Sequence, residues 1–222
     1  MREKCRVIGL WLWLLSFAVL ATIYLAWLSY PLEIDFLGID KVVYMTKASI
    51  LCHFNGLMSY LTNPFHQTLT FASFLSSKDG LAHFQDVKIL FHVTQAIFVL
   101  LAFPSLKFLK TTIQKQLMPL YQNAFLSAAV CPVLIASFAF MIGFEQFFIL
   151  FHKILFAGKS NWTFNPLTDP VIWILPESFF RHCFIAFFIL YELVLSGPSI
   201  ASVKNRKITK SKRLENVCFF GF

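Results

Sequence analysis

The chain has 222 residues, of which 58% are hydrophobic and only 14% charged, against roughly 25% charged in soluble domains. A water-soluble fold of this size cannot hide so much apolar surface, so lipid is the expected solvent. The net charge of +8 flanks hydrophobic runs instead of lying on a soluble face, so membrane orientation accounts for it and no nucleic-acid partner is expected. The 28 phenylalanines suggest crowded aromatic packing rather than an open aqueous pore. The five cysteines are scattered, with no pair at metal-ligand spacing and an odd count that makes no disulfide framework.

The pattern predicts an all-α membrane protein with four transmembrane helices and an extracellular cap. The first span, residues 7–30, carries no charge and is about 36 Å long as a helix, enough to cross a bilayer with some tilt. Arg2, Lys4 and Arg6 before it resemble the start of a signal peptide. The apolar run is too long for one, however, and Tyr24, Trp27 and Tyr30 suit an interfacial belt, so a retained helix is expected. Residues 31–88 are too many for a turn and predict the cap. Within it, Val43, Ile50, Phe54, Leu57 and Leu61 recur at helical spacing and predict an amphipathic helix between Asp40 and Leu61. Thr68 to Phe74 alternates with period two, and Lys78-Asp79-Gly80 offers turn chemistry, which predicts a short β-hairpin. A second span follows at 89–106, a loop at 107–122 and a third span at 123–150. An outer loop at 151–178, with Pro166, Pro170 and Pro176, completes the cap before a fourth span at 179–198 and a basic tail at 199–222.

Charge orients these spans. The N-terminus, the 107–122 loop and the tail hold twelve Lys/Arg (three, three and six), with Glu3 and Glu215 as their acids. Segments 31–88 and 145–181 hold seven Lys/Arg against eight Asp/Glu. Lys/Arg bias therefore predicts both termini in the cytoplasm and the cap outside, and an even span count requires the same of the termini.

Two of the six histidines fall at membrane boundaries on that outer side. His83 precedes the second span, with Asp86 one helical turn on to orient it or stabilise its charge. His152 follows the third span, and Glu145 falls two turns back on the same face. A lone interfacial histidine is ordinarily a satisfied polar residue, but two at one boundary on adjacent spans can face each other. His92 lies nine residues from His83 and points to the opposite side of a helix. His83, Asp86, Glu145 and His152 lack zinc-ligand spacing, so no metal is expected. Ser76, Ser77 and Cys183 lack a nucleophile elbow, and Glu192 alone approaches mid-membrane as a transporter would require. The sequon at Asn161 is read as chance.

Gly80-x-x-His83-Phe84-x-Asp86-Val87-Lys88 resembles a signature of the bacterial lipoprotein intramolecular transacylase family (Lit). Tyr30-Pro31-Leu32-Glu33 is similar to that family too, as is the run Phe151-His152, Trp162, Asp169-Pro170, Leu175-Pro176-Glu177 and Phe180. The resemblance spans about residues 7–195. It implies a bacterial cell-membrane enzyme with its active site at the outer leaflet and a diacylated lipoprotein as substrate. The sn-2 acyl chain would move from the diacylglyceryl group to the α-amine of the substrate's own N-terminal cysteine, giving the lyso form. The family's two catalytic histidines map to His83 and His152.

The residues suit that reaction. Donor and acceptor lie on one molecule, so neither a nucleophilic side chain nor a cofactor is expected. An ammonium cannot attack, so a histidine must accept a proton, and the departing glyceryl oxygen must regain one. Phe84, Trp162, Trp173, Phe179 and Phe180 are the expected pocket walls. Beyond substrate and membrane lipids the expectation is a monomer. The alternative from another class is a non-catalytic membrane factor that binds lipids or envelope proteins.

Overall fold

The structure, a computed structural model, describes residues 2–197, so the tail expected at 199–222 lies outside the described residues. Four helices are long and apolar enough to cross a membrane, Glu3–Leu37, Lys78–Gln114, Met118–Ile142 and Glu177–Gly197.

Helix α1 (Arg2–Leu37) runs straight through Pro31, beyond the end expected at residue 30. At 36 residues it is about 54 Å long, well beyond the roughly 30 Å hydrocarbon core. The extra turns persist because Tyr30 and Ile34 are fully buried in the cap core, which offsets the hydrogen bond that Pro31 removes. Tyr30 Oη donates to the carbonyl of Ile174 (2.5 Å), and its ring stacks on Phe54 and meets the edge of Phe179.

Gly38, at φ 62°, turns the chain into the short α2 (Ile39–Val43). Helix α3 (Lys47–Thr62) is capped by Thr46, whose side chain accepts from Ser49 N, and it buries Ile50, Phe54, Leu57 and Leu61. The expected spacing is thus present from Ile50 to Leu61, but the single helix expected between Asp40 and Leu61 is two, because Tyr44, at φ 53°, ends α2 and leaves Val43 outside α3.

The expected β-hairpin is absent: the described residues contain no strand, and 63–77 is irregular. Leu69, Phe71 and Phe74 pack against the cap core, at spacings of two and then three that one strand face does not give. Lys78-Asp79-Gly80 opens a helix instead of closing a turn, because the Ser77 side chain captures the Gly80 N–H as an N-cap. Helix α4 (Lys78–Gln114) therefore starts well before residue 89. It is the main partner of α1.

The single helix expected over 123–150 is two. After a 3₁₀ turn at Met118–Tyr121, α5 (Gln122–Ile142) ends at Gly143 and α6 (Phe144–Leu155) begins. Gly143 sits at φ 84°, ψ 148°, a conformation open to glycine and costly for other residues. Both sides of the break are apolar, which is why the pattern reads as continuous. Helix α7 (Glu177–Gly197) closes the bundle.

One proline inside a span is compensated by name. Pro132 in α5 has no N–H for the carbonyl of Ala128, and Tyr191 Oη donates to that oxygen (3.2 Å) while accepting from Trp11 Nε1 (2.6 Å). The hydroxyl thus links α1, α5 and α7 where lipid offers no water to satisfy a stray carbonyl.

Candidate active site

The site forms where the tops of α4 and α6 meet beneath the cap. On α4, Gly80, His83, Phe84 and Val87 share one face, and Gly80, His83 and Phe84 are buried. On α6, Phe148, Phe151, His152 and Leu155 do the same, and all four line the cavity described below. These stripes bring the rings of His83 and His152 to 5.9 Å between centroids, tilted by 39°.

Both rings are desolvated, His83 at 5% and His152 at 9% exposure. His83 lies edge-on to Phe156 (4.8 Å) and Phe164 (5.5 Å), and its Nδ1 is buried without a hydrogen-bond partner among the described residues. His152 Nδ1 donates to the Phe148 carbonyl (2.8 Å). In the neutral ring this bond puts the proton on Nδ1 and leaves the Nε2 lone pair free to accept. Burial pushes the His152 pKa below the ordinary histidine value, against the opposing pull of that carbonyl. The ring packs between Phe148 (4.2 Å) and Trp162 (5.3 Å).

The histidines border an apolar cavity of about 510 Å³. Phe84, Trp162, Phe179 and Phe180 line it, and Thr22, Ile23 and Ala26 of α1 with Leu90 and Phe91 of α4 carry it toward the membrane span. Cys183 and Glu177 also border it. An apolar chain fits such walls, and each buried methylene would contribute about 0.8 kcal/mol.

Trp173 is not part of the wall. It is 49% exposed, because the 3₁₀ turn Pro170–Ile174 buries Val171 and Ile174 and turns the indole outward. Asp86 does not hydrogen-bond His83. Its two oxygens are taken by Lys159 Nζ (2.6 Å) and Asn161 Nδ2 (3.0 Å), so it ties the 156–176 loop to α4. Glu145 is exposed in the first turn of α6 and pairs with neither histidine; a carboxylate is favoured there by the helix N-terminus.

The remaining histidines serve packing and tethering. His53 packs against Phe74 (4.8 Å), His66 contacts Ser59, and His92 bonds Gln95, whose amide reaches Thr62 O. His182 meets Glu33 (2.8 Å), fastening α7 to α1.

Asp169, Phe156 and Phe164 escaped the residue-level reading. Asp169 is 3% exposed and accepts the Ser77 N–H at the head of α4 (2.7 Å). Its one signal in the chain is the Asp169-Pro170 pair within the run that resembles the family.

A family model described as lipoprotein intramolecular transacylase Lit matches residues 5–180. Among solved structures, the chain is similar to the membrane-integral lipoprotein intramolecular transacylase Lit from Bacillus cereus, at 28% identity and a TM-score of 0.79 over 94% of each chain. It is similar also to that protein carrying a histidine-to-arginine mutation, at 27% identity and a TM-score of 0.73 over 95% of this chain and 91% of that one. The histidine-to-alanine form gives 27% identity and a TM-score of 0.73 over 94% and 92%. No curated protein matches the chain. With the family model covering most of its length and solved relatives sharing its four-helix membrane fold, the chain belongs to the lipoprotein intramolecular transacylase family.

Proposed function

We propose that this protein moves the sn-2 acyl chain of a diacylglyceryl-modified lipoprotein onto the α-amine of the lipoprotein's own N-terminal cysteine. The observation that carries the reading is the pair of buried imidazoles, 5.9 Å apart, on the wall of one apolar cavity. Chain and ester enter the cavity, and the cysteine amine folds back to reach the ester carbonyl. The amine nitrogen attacks that carbon, and His152 Nε2, free because Nδ1 is engaged with Phe148, takes the amine proton. The bond from the carbonyl carbon to the glyceryl oxygen then breaks, and that oxygen takes the proton that His152 passes on through the His83 imidazole, which accepts it on one nitrogen and releases one from the other. Both rings thus return to their starting state. The amide and the free hydroxyl balance the amine and ester consumed.

Folding donor and acceptor onto each other is costly in entropy, and a pocket that enforces the fold supplies part of the barrier reduction. The bias of Lys/Arg toward the N-terminus, the 107–122 loop and the tail supports a site at the outer leaflet with both termini cytoplasmic. Asp86 supports the wall through Lys159 and Asn161.

The test is mass spectrometry of a lipoprotein N-terminal peptide from cells that make the diacyl form, with and without this protein. Wild type should leave total acyl mass unchanged with one chain on the α-amine, and His83→Ala and His152→Ala at matched membrane levels should abolish the shift. An unaltered diacylglyceryl peptide beside well-expressed wild type would sink the reading for that substrate.

A further inference from the structure

The position of His83 is set from outside the cavity. Its helix begins only six residues earlier at the Ser77 cap, and the loop that supplies Trp162 and Phe164 must meet that first turn in one register. The Asp169 carboxylate occupies this junction. One oxygen accepts the Ser77 backbone N–H (2.7 Å) and the other accepts the Thr168 hydroxyl (2.8 Å). Its own N–H donates to Asn165 O (2.8 Å), and its carbonyl accepts from Ile172 N (3.2 Å) to start the 3₁₀ turn. A carboxylate is at home against the orphan N–H groups and positive end of a helix.

Gly80 makes this approach possible. A Cβ there would lie 2.3 Å from Asp169 Oδ1, closer than any contact allows, and a tight 3.1 Å from the Phe164 ring. The bare first turn lets the carboxylate and Phe164 lie flat on α4, one turn before His83. On the other side of His83, Asp86 fastens the same loop through Lys159 and Asn161. The histidine is therefore bracketed by two attachments of one loop, and the buried one is Asp169.

We propose that Asp169 is a positioning residue for the acyl transfer, fixing the start of α4 and the Phe164 wall so that the His83 ring faces the His152 ring across the cavity. This rests on the transacylase reading above. Asp169 touches no reacting atom, so its loss should slow the transfer while leaving uptake of the acyl chain by the apolar walls in place.

Full-length wild type, Asp169→Asn, Asp169→Ala and Gly80→Ala, reconstituted in nanodiscs, are assayed on a synthetic diacylated lipopeptide. The same samples are treated with diethylpyrocarbonate, and carbethoxylation of His83 is timed by peptide mass spectrometry. Asp169→Ala should lower kcat by roughly tenfold to a hundredfold with KM within about twofold, the scale of a misplaced catalytic group. His83 should be modified faster in this variant. Asp169→Asn should recover most of the rate, because its side-chain oxygen still accepts from Ser77 and the Thr168 hydroxyl can turn to accept. Wild-type kcat in Asp169→Ala, or equal loss in the alanine and asparagine variants, overturns the proposal. If Asp169→Ala does not fold, Gly80→Ala carries the same expectations and the same refutation. A wild type that leaves the lipopeptide unchanged defeats the transacylase reading alone, and the carbethoxylation arm still judges positioning: unchanged His83 reactivity overturns it.

Discussion

The Nδ1 proton of His152 is committed to the carbonyl oxygen of Phe148, 2.8 Å away and one turn back on the same helix. A base held this way has one accepting nitrogen, and burial keeps its pKa below the ordinary histidine value of about 6.5. The neutral ring is then the main form at pH 7. The α-amine, with a pKa of about 7.7–8.0, alone makes the rate fall as pH drops from about 8. Protonation of His152 adds a second proton dependence at lower pH. Log rate against pH should have slope one just below the range of the amine and steepen toward two at a pH below about 6.5. Initial rates between pH 5 and 8 check this, and a steepening centred at or above about 6.5 would contradict it.

Tyr30→Phe should destabilise the cap while keeping the ring contacts with Phe54 and Phe179, which line the cavity. The ring and its stack on Phe54 survive, but the Ile174 carbonyl loses its donor. Leaving a buried acceptor unsatisfied costs about 1–3 kcal/mol, and each kcal/mol lowers Tm by about 2–4 °C in a chain of this size. Thermal unfolding followed by size exclusion in detergent measures it.

Gly143→Ala and Gly56→Ala make the same chemical change with opposite expected signs. At Gly143 an added Cβ meets nothing within 4 Å, so the cost comes from φ 84°, ψ 148° alone and should be about 1–3 kcal/mol. Gly56 is an exposed helical residue in α3 whose added Cβ also meets open space, and alanine there should be neutral or stabilise by up to about 1 kcal/mol. Paired melting curves decide it; equal shifts would mean that the α5–α6 joint is unstrained.

Glu192→Gln should leave acyl transfer within about twofold of wild type, below the tenfold that 1.36 kcal/mol represents. The residue borders a groove with Pro132, Ser137 and Phe188 on the α5 side of α7, away from the histidines. A transport function would depend on this carboxylate, so a large loss of activity in the glutamine variant would reopen that reading.

The spans were legible because a bilayer imposes length and excludes charge, and both constraints are written locally in the chain. Their ends were not. Whether α1 stops at Tyr30 or continues to Leu37 depends on burial of Tyr30 and Ile34 against Phe54 and Ile174, residues distant in sequence. The two histidines stood out because each is a polar group at the end of an apolar run. Asp169 did not, because the atoms that explain it belong to Ser77 and Gly80, about ninety residues earlier. Trp173 was misjudged for a related reason. Aromatic identity says nothing about which side of a 3₁₀ turn faces inward, and here Val171 and Ile174 took that side.

The break at Gly143 means that the two histidines hang from the membrane by different means. His83 rides on α4, one continuous helix, with Pro104 inside it, that reaches from the cap through the apolar span. His152 rides on α6, which meets the spanning α5 only through a glycine joint. His83 is therefore placed in the frame of a spanning helix, whereas the placement of His152 passes through the backbone angles of one glycine.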